Sequence, residues 1–457
     1  MGLGETNSNF ELRRGTACFQ APALDDTEVL FGWRPQRLGS IGTVSRAKGV
    51  YLYDAQDRPI LDMASGQVNV NLGHGHEGVL RAMRAQLQDF CYAAPCLNSD
   101  VREALTAEIG KVVPFAEDTK VFLCNSGSEA VESAIKLAWA MTGRTKIYAA
   151  SPSYHGATIG ASSISADARR RFAEPGLTGV RHFTPPFAQH LAFKDMSEEE
   201  AVHISLSLLR DQITRDGPDT VAAIFVEPVI GSGGVFAWPT AFMQGLREIC
   251  DAHGILLVFD ETMSGWGRTG RWFAAEHSGV TPDILTTAKG ITSGYVPLAA
   301  VILPKRHADR FDARPFVCGS TTEGHALACA TARACLQAYH DENVIARADA
   351  MGDHLRQALH AMKSRNFVIK DVRNAGLLGC VELASVRVGR GDRPCDSASC
   401  GNWMETLTQS LWRNGVFTIV REHMIFVAPP LTITTAELEQ GLGIIERELS
   451  AFVAWAA

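Results

Sequence analysis

An α/β fold built on a largely parallel sheet is predicted by three observations. From about residue 120 onward, short apolar runs rich in β-branched residues alternate with helical patterns, the signature of βαβ units. Two of these runs, 255–260 and 284–286, lead into polar, glycine-containing stretches, as strands do where an open sheet presents its ligand groups. After about residue 340 the alternation gives way to a helix, a strand pair, a second helix and further short strands, which marks a smaller α+β domain.

The elements follow in order. Segment 49–62, GVYLYDAQDRPILD, reads as a hairpin turning at 54–58 and packing with the smaller domain. Strands are expected at 121–123, 146–149, 222–226, 255–260, 284–286 and 299–303. Helices are expected at 129–141 and 240–253, where apolar residues recur near the helical period. Stretch 184–200 carries a proline pair and then an acidic run, so it reads as a loop excursion. Beyond 340 the pattern gives a long helix to about 365, strands at 367–372 and 376–383, and a polar loop at 387–402. A helix at 404–414, strands at 416–420 and 424–427, and a closing helix at 435–457 complete it. The chain then divides into an N-terminal segment, 1–65, that packs with the small domain, a large domain, 66–340, and the small domain itself, 341–457.

Composition excludes several classes. With 457 residues, 46% hydrophobic and 20% charged, the chain can bury a substantial core and is neither a disordered tail nor a membrane bundle. A net charge of -7 argues against a dedicated nucleic-acid surface, which needs a basic stripe. The apolar runs stop short of the ~18 residues of a membrane span, and no apolar leader core opens the chain, so the expectation is a cytoplasmic protein without a membrane partner. Eleven cysteines without a Cys-x-x-Cys pair predict reduced thiols and no structural zinc.

Three constellations carry chemistry. At 125–129, N-S-G-S-E, a strand ends and a helix begins, so unpaired N–H groups and the positive helix end converge on a potential phosphate cradle. It is neither a Walker A loop nor a G-x-G-x-x-G turn, and an ordinary N-capped βα turn gives the same pattern. In VFDETMSGWGRTG, 258–270, Asp260 and Glu261 stand at the end of an apolar strand, where carboxylates are more often functional than structural. Lys289 ends another apolar run in ILTTAKGITSGY, and desolvation there would favour a neutral, nucleophilic amine, although a lone lysine is more often a surface residue. Taken together, a phosphate cradle, a carboxylate and a strand-end lysine are what pyridoxal 5'-phosphate requires: an anchor, a partner for the ring nitrogen and a Schiff-base amine. Tyr154, in S-Y-H-G, adds an aromatic face that can stack on the ring.

The run NSGSEAVESAIKLA, then SYHG, Glu227-Pro228 and the long block from DETMSGWGRTG to SGYVPLAAVI resemble the class III (ω-amino acid) aminotransferases, fold-type-I pyridoxal-phosphate enzymes. Stretches NVNLGHGH, AAPCLNSDVREALTAEI and FTIVREHMIFVAPPLTIT are most similar to the taurine and β-alanine branch. The resemblance implies a large domain with a mainly parallel seven-stranded sheet flanked by helices, plus the smaller α+β domain. It further implies Lys289 as the Schiff-base lysine, Asp260 as partner of the ring nitrogen and Ser126, Gly127 and Ser128 at the phosphate. Tyr154 would cover the ring, with His155 and Thr262 beside the cofactor and Glu227 as a positioning residue near Asp260. Thr321, in CGSTTEGHA, would reach the phosphate of a dimer partner, making a homodimer, or a tetramer built from it, necessary for activity. Arg421 would receive the acceptor's carboxylate. Thr262, Cys318, Thr322, Ala326 and Trp139 depart from the family pattern, and those near the cofactor bear on substrate fit.

The implied activity is a ping-pong transfer of an amino group from a primary amine donor to a 2-oxo acid, pyruvate or 2-oxoglutarate, with Lys289 carrying the proton. The same lysine, aspartate and cradle also serve isomerases (aminomutases and racemases) and a decarboxylase. A cofactor-binding protein without turnover would share them too.

Overall fold

The computed structural model describes residues 29–187, 191–384 and 397–456. Its centre is a seven-stranded sheet made of β1 (Thr119–Cys124), β2 (Lys146–Ala150), β3 (Val180–Phe183), β4 (Val221–Val226), β5 (Leu256–Asp260), β6 (Ile284–Thr287) and β7 (Ala299–Pro304). The spatial order is β1-β7-β6-β5-β4-β2-β3. Only β7 runs against the others, pairing antiparallel with both β6 and β1. Strands β4 (VAAIFV) and β5 (LLVFD) are buried along their whole length, because helices cover both faces of a parallel sheet and leave no polar side to alternate with. Strand β3, VRHF, escapes sequence reading for the opposite reason: it is an edge strand, mostly half-buried, with two polar residues among its four.

Helix Gly127–Thr142 follows β1, and helix Thr240–His253 precedes β5 and ends at Gly254, whose φ of 61° is the left-handed conformation glycine adopts without strain. Stretch 184–200 is not loop throughout. Residues 188–190 lie outside the described set, a 3-10 turn covers Leu191–Phe193, and helix Glu198–Asp216 starts within the acidic run through a Ser197/Glu200 capping box. The acidic residues are first-turn glutamates, favoured at the positive helix end.

The predicted hairpin forms from Tyr51–Tyr53 and Pro59–Asp62, with the Asp54 carboxylate accepting from the amides of Gln56 and Arg58. Val416–Phe417 pairs parallel with Pro59–Asp62, so the N-terminal hairpin and the C-terminal region share one sheet. A second antiparallel sheet joins Ile369–Ala375, Leu378–Leu383, Met424–Val427 and Val420–Arg421. The long helix read beyond about 340 and up to 365 is Val344–Arg365; a separate helix, Ala326–Asp341, precedes it, and the chain turns between them where Asn343 takes φ 50°. Of the polar loop at 387–402, residues 387–396 lie outside the described set and the rest is helical, since Ser397–Arg413 begins earlier than the apolar pattern signals. Among the described residues no helix is long and apolar enough to cross a membrane.

Arg268 ties these parts together. It is fully buried and donates from Nη1 to the carbonyls of Leu377 and Pro429, and from Nη2 to Ser65 Oγ and Asn71 Oδ1. Burial lowers its pKa to about 10.

Candidate active site

The C-terminal ends of β1, β5 and β6 bring the predicted residues to one edge of the sheet, the position at which open α/β sheets bind ligands. Asp260, the last residue of β5, is 3% exposed and held through both oxygens. Oδ1 accepts from the Thr262 amide at 3.0 Å and the Thr286 hydroxyl at 3.2 Å, and Oδ2 lies 2.9 Å from His155 Nδ1. Burial alone would raise the Asp260 pKa, but the hydrogen bond and charge of His155 bring it below the ordinary value. Reciprocally, burial works to lower the His155 pKa and Asp260 overcomes it, so the pair holds an ionised carboxylate in a nearly dry setting.

Lys289 follows β6 and is partly buried. Burial, opposed by Asp260 and Glu227 and reinforced by the charges of Arg169 and Arg268, holds its amine below the ordinary lysine range. More of it is therefore neutral at a given pH than in an exposed lysine. Its φ of 49° lies in the left-handed region, a strain of roughly 1–2 kcal/mol for a residue with a Cβ. The next residue explains how it is held: the Tyr339 hydroxyl donates to Gly290 O at 2.7 Å, and a Cβ on Gly290 would come within 2.5 Å of Asn71 Nδ2.

The cradle is the N-terminus of helix Gly127–Thr142. Ser126 caps it, Oγ accepting from the Glu129 amide at 3.2 Å, and Ser128 Oγ accepts from the Ala157 amide at 3.0 Å, fixing the S-Y-H-G turn against the helix. A Cβ on Gly127 would sit 2.9 Å from Thr262 Cγ2, so only glycine fits between the helix start and Thr262. Glu227 is buried and accepts from the amides of Tyr154 (2.9 Å) and Gly231 (3.0 Å); burial, then Asp260, raises its pKa. Thr321 is exposed on this chain and accepts at its carbonyl from the Tyr92 hydroxyl, while its neighbours Ser320 and Thr322 bond Asn125 beside the cradle.

Sequence reading missed Arg169, whose guanidinium lies 3.5 Å from the centre of the Tyr154 ring, and Asp167, which pairs with both Arg169 and Arg421. Arg421 is thus already bonded, to Asp167 at 3.1 Å and to Ser232 O at 3.3 Å. Nothing in the run ADARRRF marks one arginine over its neighbours. Glu261, by contrast, turns away from the site. Fully buried, it accepts from Ser264 Oγ and from the amides of Ala274 (3.0 Å) and Ala275 (2.7 Å), capping helix Ala275–Ser278, and burial pushes its carboxyl up to about 7. Glu261→Ala leaves three buried donors unpaired and is expected to cost about 2 kcal/mol of stability, read as a lower denaturation midpoint.

A cradle closed to any side chain but glycine, an ionised buried carboxylate and an amine with a lowered pKa fit a cofactor with a phosphate, a ring nitrogen and an aldehyde. Fold and site together define a fold-type-I pyridoxal-phosphate enzyme. The sequence profile of the family described as aminotransferase class-III matches residues 37–449. Over 431 residues the chain is 32% identical to 5-aminovalerate aminotransferase of Pseudomonas aeruginosa, covering 90% of this chain and 94% of that one. Among solved structures it is similar to taurine:2-oxoglutarate aminotransferase from Bifidobacterium kashiwanohense in complex with PLP and glutamate (TM-score 0.86, 32% identity, 94% and 97% covered). It is also similar to an (S)-enantioselective omega-transaminase from Thermomicrobium roseum (TM-score 0.85, 32% identity, 93% and 96% covered). The chain belongs to the class III aminotransferases, and pyridoxal 5'-phosphate is its cofactor.

Proposed function

We propose that this aminotransferase moves an amino group from an ω-amino acid or other primary amine to a 2-oxo acid, pyruvate or 2-oxoglutarate, in a ping-pong cycle. The observation that carries the reading is the lowered Lys289 amine at the same sheet edge as the ionised Asp260–His155 pair and the glycine-closed cradle. The activities by which the two relatives are named, on 5-aminovalerate and on taurine, support the donor class.

When bound, the cofactor supplies an electron sink for the substrate's amine-bearing carbon. In this reading Lys289 anchors it covalently and then shuttles the proton at that carbon. Asp260, ionised and oriented by His155, keeps the ring nitrogen protonated. Ser126, Gly127 and Ser128 take the phosphate, Tyr154 and Thr262 flank the ring, and Glu227 fixes the backbone at Tyr154. Arg421 receives the acceptor's carboxylate after leaving Asp167. The division at 65/66 and 340/341 and a cytoplasmic place of action belong to the same reading.

The experiment is a half-reaction: amine alone, added to the holoenzyme, should replace the absorbance of the lysine-linked cofactor with that of its aminated form. A spectrum that returns to its start would mark an isomerase or a binding protein. Arg421→Ala should raise the acceptor KM at least tenfold, the loss expected for a contact of about 1.5–3 kcal/mol with a charged group. An unchanged KM would move the acceptor site elsewhere.

A homodimer, alone or within a tetramer, is part of the proposal, with Thr321 serving the partner's phosphate. Exposed Phe90, Tyr92, Leu97 and Val317, on the segments around Thr321, support an interface there. Because Ser320 and Thr322 bond this chain's own Asn125, subunit mixing decides the matter. Impaired Lys289→Ala and Thr321→Ala subunits, mixed and exchanged, should regain a fraction of activity, since one site per mixed dimer has both groups intact. No recovery after tag-verified exchange would assign Thr321 to its own subunit.

A further inference from the structure

The turn that forms the cradle is tied by one side chain to the segment that carries Thr321. Asn125 stands between β1 and the helix that starts at Gly127, next to the cap Ser126. Its backbone amide and its Nδ2 both donate to Glu129 Oε2, at 2.8 and 3.1 Å. The same Nδ2 donates to Ser320 Oγ at 2.7 Å, and Oδ1 accepts from the Thr322 hydroxyl at 3.1 Å. A carboxylate only accepts, so Glu129 fixes which end of the Asn125 side chain is the nitrogen and leaves the oxygen end for Thr322. With both N–H groups engaged, one orientation satisfies every partner.

The segment on the far side has no regular structure of its own. Residues 312–325 form neither helix nor strand, and Thr321 and Thr322 are exposed. Ser320 and Glu323 close a local turn, the Ser320 amide donating to Glu323 Oε2 at 3.0 Å and the Glu323 amide to Ser320 O at 3.3 Å. The Tyr92 hydroxyl donates to Thr321 O. Asn125 therefore grips the residues on either side of Thr321, while its own backbone opens the cradle turn.

We propose that Asn125 is a positioning residue that couples the two cofactor sites of a dimer: a phosphate in this chain's cradle fixes the 125–128 turn, and Asn125, through Ser320 and Thr322, thereby presents Thr321 to the phosphate of the partner's cofactor. This rests on the reading that Thr321 serves the partner. The link is thermodynamic and so reciprocal: a phosphate that captures Thr321 from the partner's side favours the Asn125 placement that shapes this chain's cradle. In a two-fold dimer each segment serves the other site, so the first cofactor bound raises the affinity of the second. Thr322 departs from the family pattern and its hydroxyl supplies one of the two bonds, which ties the coupling to this chain.

The test strips the full-length dimer of cofactor, equilibrates it with pyridoxal 5'-phosphate sufficient for half of the sites, and counts by native mass spectrometry the dimers holding none, one and two. Independent sites leave about half of the dimers singly loaded, whereas coupling of about fivefold, at the low end for linked sites, leaves about a third or fewer. The wild type should show that depletion. Asn125→Ala should restore the independent distribution while the dimer persists, and so should Ser320→Ala combined with Thr322→Val, which leaves Asn125 bonded to Glu129. A merely structural Asn125 would weaken both sites equally and keep the depletion in its variant; that result overturns the proposal, as does an independent distribution in the wild type. Thr321→Ala should also abolish the depletion. If it does not, or if subunit mixing recovers no activity, the reading of Thr321 falls and the coupling with it. Recovery on mixing together with an undepleted wild type removes the coupling alone.

Discussion

Lys289→Ala is expected to reduce turnover by a factor on the order of 10³ or more, since in the proposed mechanism it removes the covalent anchor and the proton carrier together. The fold should survive. Truncation removes an amine that burial already disfavours as a cation, and the packing that fixes the neighbouring backbone, Tyr339 on Gly290 and Asn71 against it, involves no atom of the lysine side chain. The cradle at Gly127 is untouched, so the cofactor can still bind without a covalent link. Two measurements separate the outcomes: visible absorbance of the lysine-linked cofactor, and turnover with an amine and a 2-oxo acid. Retention of both in the variant would remove Lys289 from the chemistry.

Asp260→Asn should lower the rate on the order of 10², the loss expected when one preorganised electrostatic group is deleted from a water-poor site. The substitution keeps the shape and can keep the contacts to Thr286 and His155, but it removes the charge that raises the His155 pKa. Burial then drives His155 neutral, and the proposed partner of the ring nitrogen has lost its charge. A variant running close to the wild-type rate would show that the carboxylate only supports the fold.

Much of the fold could be read from the sequence because parallel strands covered on both faces are continuous apolar runs. Strands β4 and β5 and helix Thr240–His253 are cases in point. Strand β3 could not be read, since an edge strand with Arg181 and His182 among its four residues carries no such pattern. At the site, Asp260 and Lys289 are legible because they end apolar strands. Adjacent Glu261 shares that position and has a different task, which alternation of side chains along the strand decides and composition does not. Arg169 and Asp167 were invisible for another reason. Their meaning lies in contacts with Tyr154 and Arg421, and the Asp167–Arg421 pair spans 254 positions in the chain. Long-range pairing of surface-type residues leaves no periodic trace.

Arg268 sets a limit on how this enzyme can move. Its two terminal nitrogens are committed to Ser65, Asn71, Leu377 and Pro429, drawn from three separate stretches of chain. Shifting the C-terminal strands away from the large sheet would leave buried donors and acceptors unpaired at about 1–3 kcal/mol each. In the language of hydrogen exchange, these stretches form one cooperative unit that opens together rather than hinging apart. In the proposed ping-pong cycle, unequal donor and acceptor molecules are then expected to be accommodated by rotation of side chains within one shared backbone frame.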